Sequence, residues 1–142
     1  MYLDSAIFVK LFVREPDSMF YAERLDGQAG LWTSALAMCE CYSALCRKER
    51  EKAIEARTRR AAWRRIEHCL SEGMLRCLPV GESVLKRSQL ILERCHPVAG
   101  IRSLDAIHLA SCEEIDGFPL WTNDSRMREA AELLRFPLGP VP

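Results

Sequence analysis

The chain has no CxxC pair, and its seven cysteines, an odd number, fall into no regular framework, which argues against both a zinc ribbon and a disulfide scaffold. Cys39 and Cys41 lie in a segment with helical spacing, so their thiols point about 200° apart and cannot share an ion. No apolar run approaches the roughly 20 residues of a membrane span. The opening stretch MYLDSAIFVKLFVREP has no basic region followed by a long apolar run and a cleavage site. A cytoplasmic chain with reduced thiols and no membrane role is therefore expected. Net charge is also absent, with 20 Lys and Arg balanced by 20 Asp and Glu, which excludes a protein that holds nucleic acid purely by bulk positive charge. There are no repeats, low-complexity tracts or linkers.

What is present is enough for one domain over residues 1–142, because 142 residues at 49% hydrophobic content can bury a real core. The charges are unevenly spread. Between Arg47 and Arg65, nine basic residues face three acidic ones, leaving that segment at +6 and the remainder at −6. This asymmetry suits a polyanionic partner, and it equally suits a solvated helix surface laced with ion pairs. Short strand patterns (YLD, LWT, LRCLPV and PLWTND) alternate with helical ones: SAIFVKLFV, DSMFYAERLDG closed by Gly27, a long helix from about Ser34 to Arg50, AIEARTRRAAWRRIEHCLSEG, ESVLKRSQLILERC, the segment around RSLDAIHLAS, and SRMREAAELL. This alternation predicts an α/β sandwich on a mainly parallel sheet.

Four acids stand out against this pattern. In an open parallel sheet, ligands bind outside the carboxyl ends of the strands; Asp4 ends the first strand and Asp124 the last, although each alone is as well explained as a helix N-cap. Glu40 is the only charge in SALAMCECYSALC, a segment apolar on nearly every side that predicts a central helix. Asp105 projects between Leu109 and Cys112, at the edge of the apolar face formed by Leu104, Ile107, His108, Ser111, Cys112 and Ile115. An ionised carboxylate left unpaired there costs several kcal/mol, so Arg102, a buried hydrogen-bond network or a bound cation must compensate it. Four convergent carboxylates repel one another. Without accompanying histidines or thiolates they favour a hard cation, Mg²⁺ or Mn²⁺, over zinc. His108 on the apolar face reads as a core histidine, and His68 and His96 have no nucleophile in recognisable context.

The pieces YLDSAIFVKLFVREP, TSALAMCECYSAL, RSLDAIHLA and LWTNDSRMREAAELL, in that order and spanning almost the whole chain, resemble motifs of the PIN-domain nucleases. Within that family they resemble the VapC-type toxins of toxin–antitoxin pairs. The resemblance implies a PIN-like sandwich with a central sheet of four to five short parallel strands. It also implies an acidic pocket in which Asp4, Glu40, Asp105 and Asp124 are catalytic and hold Mg²⁺ or Mn²⁺, with the hydroxyls of Ser5 and Thr122 beside them. Ser125 and Arg126 stand where some relatives carry a further acid. The implied chemistry is endonucleolytic hydrolysis of RNA to a 5′-phosphate and a 3′-hydroxyl, the cation polarising the phosphoryl group and activating water.

Arg47, Arg50, Arg57, Arg60 and Arg64 are candidate contacts to RNA phosphates. Trp32, Trp63 and Trp121 are candidates to stack on a base, with core packing the simpler role. The family also implies a small antitoxin partner that directs an arginine at the pocket, and a homodimer; Phe8, Leu11, Phe12 and the helices between residues 34 and 73 are contact surfaces or core. Other readings are a free-standing RNA-processing nuclease and a non-catalytic RNA-binding or scaffold module, though such modules often lack one of the acids. An aspartyl-phosphate phosphotransferase is disfavoured because its second aspartate is Ala6 here.

Overall fold

Neighbouring residues on a strand point to opposite faces of the sheet, and this divides the core in two. The computed structural model describes residues 1–142. Along the chain run β1 (Tyr2–Leu3), α1 (Ser5–Lys10), α2 (Ser18–Leu25), β2 (Leu31–Ser34), α3 (Ala35–Arg50), α4 (Ala56–Ser71), β3 (Leu75–Leu78), α5 (Glu82–Cys95), α6 (Ser103–Glu114), β4 (Leu120–Trp121) and α7 (Ser125–Leu134). Leu3 and Trp121 face a cluster with Ile7, Phe8, Leu45 and Ile66 from the first four helices. Tyr2 and Leu120 face the other side, among Val84, Ile91, Leu109 and Leu134 from the last three. No helix is long and apolar enough to cross a membrane.

All strand pairs are parallel, in the order β3-β2-β1-β4. The chain travels from β1 through β2 to β3, then crosses back to place β4 on the far side of β1. Right-handed crossovers put the helices on one face for the outward journey and on the opposite face for the return. The reversal lies between β1 and β4, where a crevice opens at the carboxyl ends of the strands.

The chemistry of the helix starts fixes that edge. The Asp4 side chain accepts from the Ile7 amide at 2.8 Å, and Ser34 Oγ accepts from the Ala37 amide at 3.2 Å. Asp124 Oδ1 accepts from the amides of Arg126 and Met127 at 2.9 and 3.0 Å. At the other ends, Gly27 and Gly73 take positive φ of +67° and +70° just beyond α2 and α4, a conformation that glycine adopts without a Cβ clash.

Several expectations need correcting. The last strand is two residues long rather than PLWTND, because Thr122 and Asp124 turn the chain into α7. The fourth helix begins at Ala56, the residues from Ala53 forming the turn before it. The helix carrying Glu40 is not central: only Ala37, Cys41 and Leu45 are buried along it, since it packs on one seam and leaves its other side to solvent. Leu104, assigned to the apolar face of α6, is 49% exposed. That helix instead buries Ala106, His108, Leu109, Ala110, Ser111 and Cys112, because it is enclosed by the sheet and neighbouring helices on most sides.

Trp121 is buried in the core. Trp63 packs edge-on to Tyr42, with ring centroids 4.7 Å apart, and Trp32 lies beneath the Arg76 guanidinium at 5.5 Å. All seven cysteines are free thiols, and burial pushes Cys41 and Cys112 up to about 12, so both stay protonated. Leu109 is fully buried at the centre of the α5 to α7 side. Leu109→Ala should cost about 2–5 kcal/mol through lost contacts and a residual cavity, read as a lower urea midpoint with an unchanged slope.

Candidate active site at the carboxyl edge of the sheet

The four acids arrive at this edge from four elements. Asp4 leaves β1, is 2% exposed, and caps α1 while facing inward. Burial pushes its carboxyl up, against the opposing influence of the His108 imidazole, the Ile7 amide and the Thr122 hydroxyl, and the nearby Glu40 charge pushes it further in the same direction. Glu40, from the second turn of α3, is also pushed up by burial. Its hydrogen bond to His108, the imidazole charge and the Ser5 hydroxyl outweigh this and hold it below the ordinary glutamate value.

Asp124 and Asp105 share a different partner. Arg126 Nη2 lies 3.5 Å from Asp124 Oδ2, and Arg126 Nε lies 4.0 Å from Asp105 Oδ2. That Nε is buried without a hydrogen-bond partner. The Asp105 carboxylate accepts instead from the backbone amide of Arg102 at 2.9 Å. Of the compensations expected for Asp105, Arg102 contributes through its main-chain amide and not its side chain, and the nearby cation is Arg126, which was not among them. Thr122 joins the two halves of the site, since its hydroxyl faces Asp4 and accepts from the Asp124 amide at 3.1 Å.

Ser5 and Glu40 stand at one end of a cleft of about 560 Å³ that also involves Leu104 and Asn123, the chain neighbours of Asp105 and Asp124. Its other end is cationic. Lys10 is held by Glu15 and Asp17 at 2.7 and 2.6 Å, and Lys48 is held by Glu15 at 2.7 Å. Arg47 lines the cleft and forms no ion pair. Of the five candidate phosphate contacts, Arg47 alone lies there. Arg50, Arg57, Arg60 and Arg64 are exposed elsewhere on α3 and α4, and Arg57 pairs with Glu55 at 2.7 Å. A sequence run of basic residues winds around the helices, so only one side of it can face the cleft.

No three His, Cys, Asp or Glu side chains are gathered closely enough to enclose an ion. The acids ring the crevice, with Arg126 between two of them. The donor set is nevertheless suited to a hard cation, because every candidate ligand is a carboxylate. Asp4 adds a specific reason: it is buried beside Glu40 with no lysine or arginine paired to it, a concentration of negative charge that a divalent cation would offset.

Two features of the cleft and its surroundings escape sequence reasoning. His108, read as an ordinary core histidine, bonds Glu40 directly at 2.7 Å. The available signal was its position three residues after Asp105, which sets both on one side of a helix. Lys10 drew no attention because its partners Glu15 and Asp17 lie beyond the end of its own helix.

A model of the PIN domain family matches residues 1–133. The chain is 36% identical over 136 residues to the Ribonuclease VapC46 of Mycobacterium tuberculosis, covering 94% of this chain and 92% of that one. Among solved structures it resembles Mycobacterium tuberculosis VapC20, a sarcin–ricin loop cleaving toxin, with a TM-score of 0.69 at 17% identity over 91% of this chain and 93% of that one. It also resembles a toxin–antitoxin complex from Klebsiella pneumoniae, with a TM-score of 0.60 at 16% identity over 87% and 86%. The two structural likenesses extend to the fold.

The raised Asp4 carboxyl has a measurable consequence in the metal-free protein. A carboxyl whose folded pKa lies above its unfolded value favours folding while protonated, and that contribution is lost as pH rises through the folded value. Asp4→Asn keeps the helix cap and removes the charge. In EDTA it should raise Tm at pH 7, and the gain should shrink as pH falls toward the ordinary aspartate value of 3.8; thermal melts across that range check both the sign and the window.

Proposed function

This chain belongs to the PIN-domain family, and from that premise we propose that it is a Mg²⁺- or Mn²⁺-dependent endoribonuclease that acts as the toxin of a toxin–antitoxin pair. The observation that carries the reading is the placement of Asp4 and Asp124 on either side of the strand-order reversal, with Asp105 and Glu40 brought to the same edge by α6 and α3. RNA as the substrate draws support from the ribonuclease named among the relatives, and a small antitoxin partner from the complex with which the fold is shared.

Asp4, Glu40, Asp105 and Asp124 would hold the cation, which when bound supplies positive charge to a phosphoryl oxygen and acidifies an attacking water. The remaining work falls to side chains of this chain. Ser5 and Thr122 direct their hydroxyls at Glu40 and Asp4 and favour the charged form of each, in Asp4 against the larger effect of burial. Arg47, free of acidic partners at the far end of the cleft, meets a backbone phosphate and fixes the register of the strand. Lys10 and Lys48 have their charge balanced by Glu15 and Asp17 and shape the cleft wall instead.

Purified protein should cut a pool of structured RNAs with Mg²⁺ or Mn²⁺ and stop in EDTA. Asp105→Asn should lose at least ~100-fold in rate, the upper end of what an outer partner of a metal ligand costs. No cutting by folded wild-type protein over a broad pool, or full activity of the variant, would overturn the proposal. Growth arrest on expression, relieved by a small neighbouring reading frame, separates a toxin from a free-standing processing nuclease. Arg47→Ala should weaken RNA binding across sequences and reduce the salt slope by about 1, whereas Arg57→Ala should leave both unchanged.

A further inference from the structure

A chain of polar side chains runs through the interior behind the candidate site. Ser34 Oγ and Tyr2 Oη are hydrogen-bonded at 2.8 Å, Tyr2 Oη and His108 Nδ1 at 2.8 Å, and His108 Nε2 and Glu40 Oε2 at 2.7 Å. Ser34 and Tyr2 are fully buried and His108 is 3% exposed. Polar groups in such a place are tolerated only when each has a partner. Apolar residues of similar volume would fill the same space without that requirement.

The direction of the last bond is fixed. A glutamate is ionised at neutral pH and its carboxylate can only accept, so across the 2.7 Å contact His108 Nε2 carries the proton and donates it. The ring cannot turn away without taking Nδ1 from Tyr2 Oη, and that hydroxyl is anchored to Ser34, which also caps α3. The imidazole is thus clamped at both nitrogens by β1, β2 and α3. Glu40, by contrast, is a partly exposed side chain on a helix with only one buried seam. Unaided, it has rotamers that point into solvent.

We propose that His108 is the positioning residue for Glu40: the buried Ser34–Tyr2–His108 chain fixes the carboxylate rotamer so that Glu40 faces the acidic crevice. This rests on the reading of Glu40 as a metal ligand, and it adds a role for a histidine that touches neither substrate nor cation. Removing an oriented partner of a metal ligand typically weakens metal affinity by about 10–100-fold.

Two substitutions of the histidine separate positioning from packing. In His108→Gln the amide nitrogen can reach roughly the place of Nε2 and still donate to Glu40. In His108→Asn the shorter amide reaches toward Tyr2 but not Glu40. Mn²⁺ affinity of the full chain, measured by electron paramagnetic resonance with circular dichroism as the folding control, should fall at least ~10-fold in His108→Asn and recover most of that in His108→Gln. In a Glu40→Gln background, His108→Asn should cause no further loss, because its effect passes through Glu40. Wild-type affinity in folded His108→Asn, or losses that simply add in the double variant, would overturn the proposal.

If wild-type protein binds no Mn²⁺, the metal-nuclease reading fails, and the clamp is then read by ¹⁵N NMR of the His108 ring in the metal-free chain. A slowly exchanging Nε2–H signal that collapses in Glu40→Gln upholds the clamp. A signal unchanged by that substitution overturns it, and the same reading serves if His108→Asn does not fold.

Discussion

A carboxylate buried at the end of β1 is the constraint to which the rest of the active edge responds. Asp4 must cap α1 from a position almost without solvent, and an isolated charge there is far more costly than a neutral group. The surroundings answer with two donors, the Ile7 amide and the Thr122 hydroxyl, and with the nearby His108 imidazole, which acts on the carboxylate without bonding it. Each comes from a different element, so satisfying Asp4 also ties α1, the β4–α7 turn and α6 to one point. The parallel sheet makes this possible, because strands that run the same way deliver their ends, and the starts of the following helices, to the same edge.

Two modes of charge compensation divide the site. Asp105 and Asp124 share Arg126, whose contacts at 3.5 and 4.0 Å are loose. Asp4, buried, and Glu40, partly exposed, are served by hydrogen bonds of ordinary length from the Ile7 amide and His108. Loose ion pairs near solvent contribute little and rearrange readily, whereas a buried, fully satisfied network is rigid. The half held by hydrogen bonds is therefore the pre-organised part and the half held by Arg126 the adaptable one, a division that suits the proposed RNA substrate.

Parts of this were legible before any coordinates. Asp4 and Asp124 are legible at strand ends, and both cap a helix there while staying at the crevice, since one oxygen of a carboxylate can accept from the helix while the side chain remains at that edge. The setting of Glu40 was misjudged because SALAMCECYSALC is apolar in composition, whereas packing chose the single seam of Ala37, Cys41 and Leu45. Leu104 shows the converse error: periodicity put it inside, yet α6 turns that position to the cleft mouth. The five arginines looked equivalent, and only Arg47 lies at the cleft.

The sequence by itself determined the alternation of strand and helix and the placing of Asp4 and Asp124 at helix starts, because periodicity, capping and turn chemistry act over a few residues and are written locally. Only the tertiary structure decided which side chains meet. The pairing of His108 with Glu40 spans 68 residues and that of Tyr2 with His108 spans 106. Contacts so distant along the chain depend on the order of strands in the sheet and the faces on which the helices return, and those are properties of the whole packed molecule.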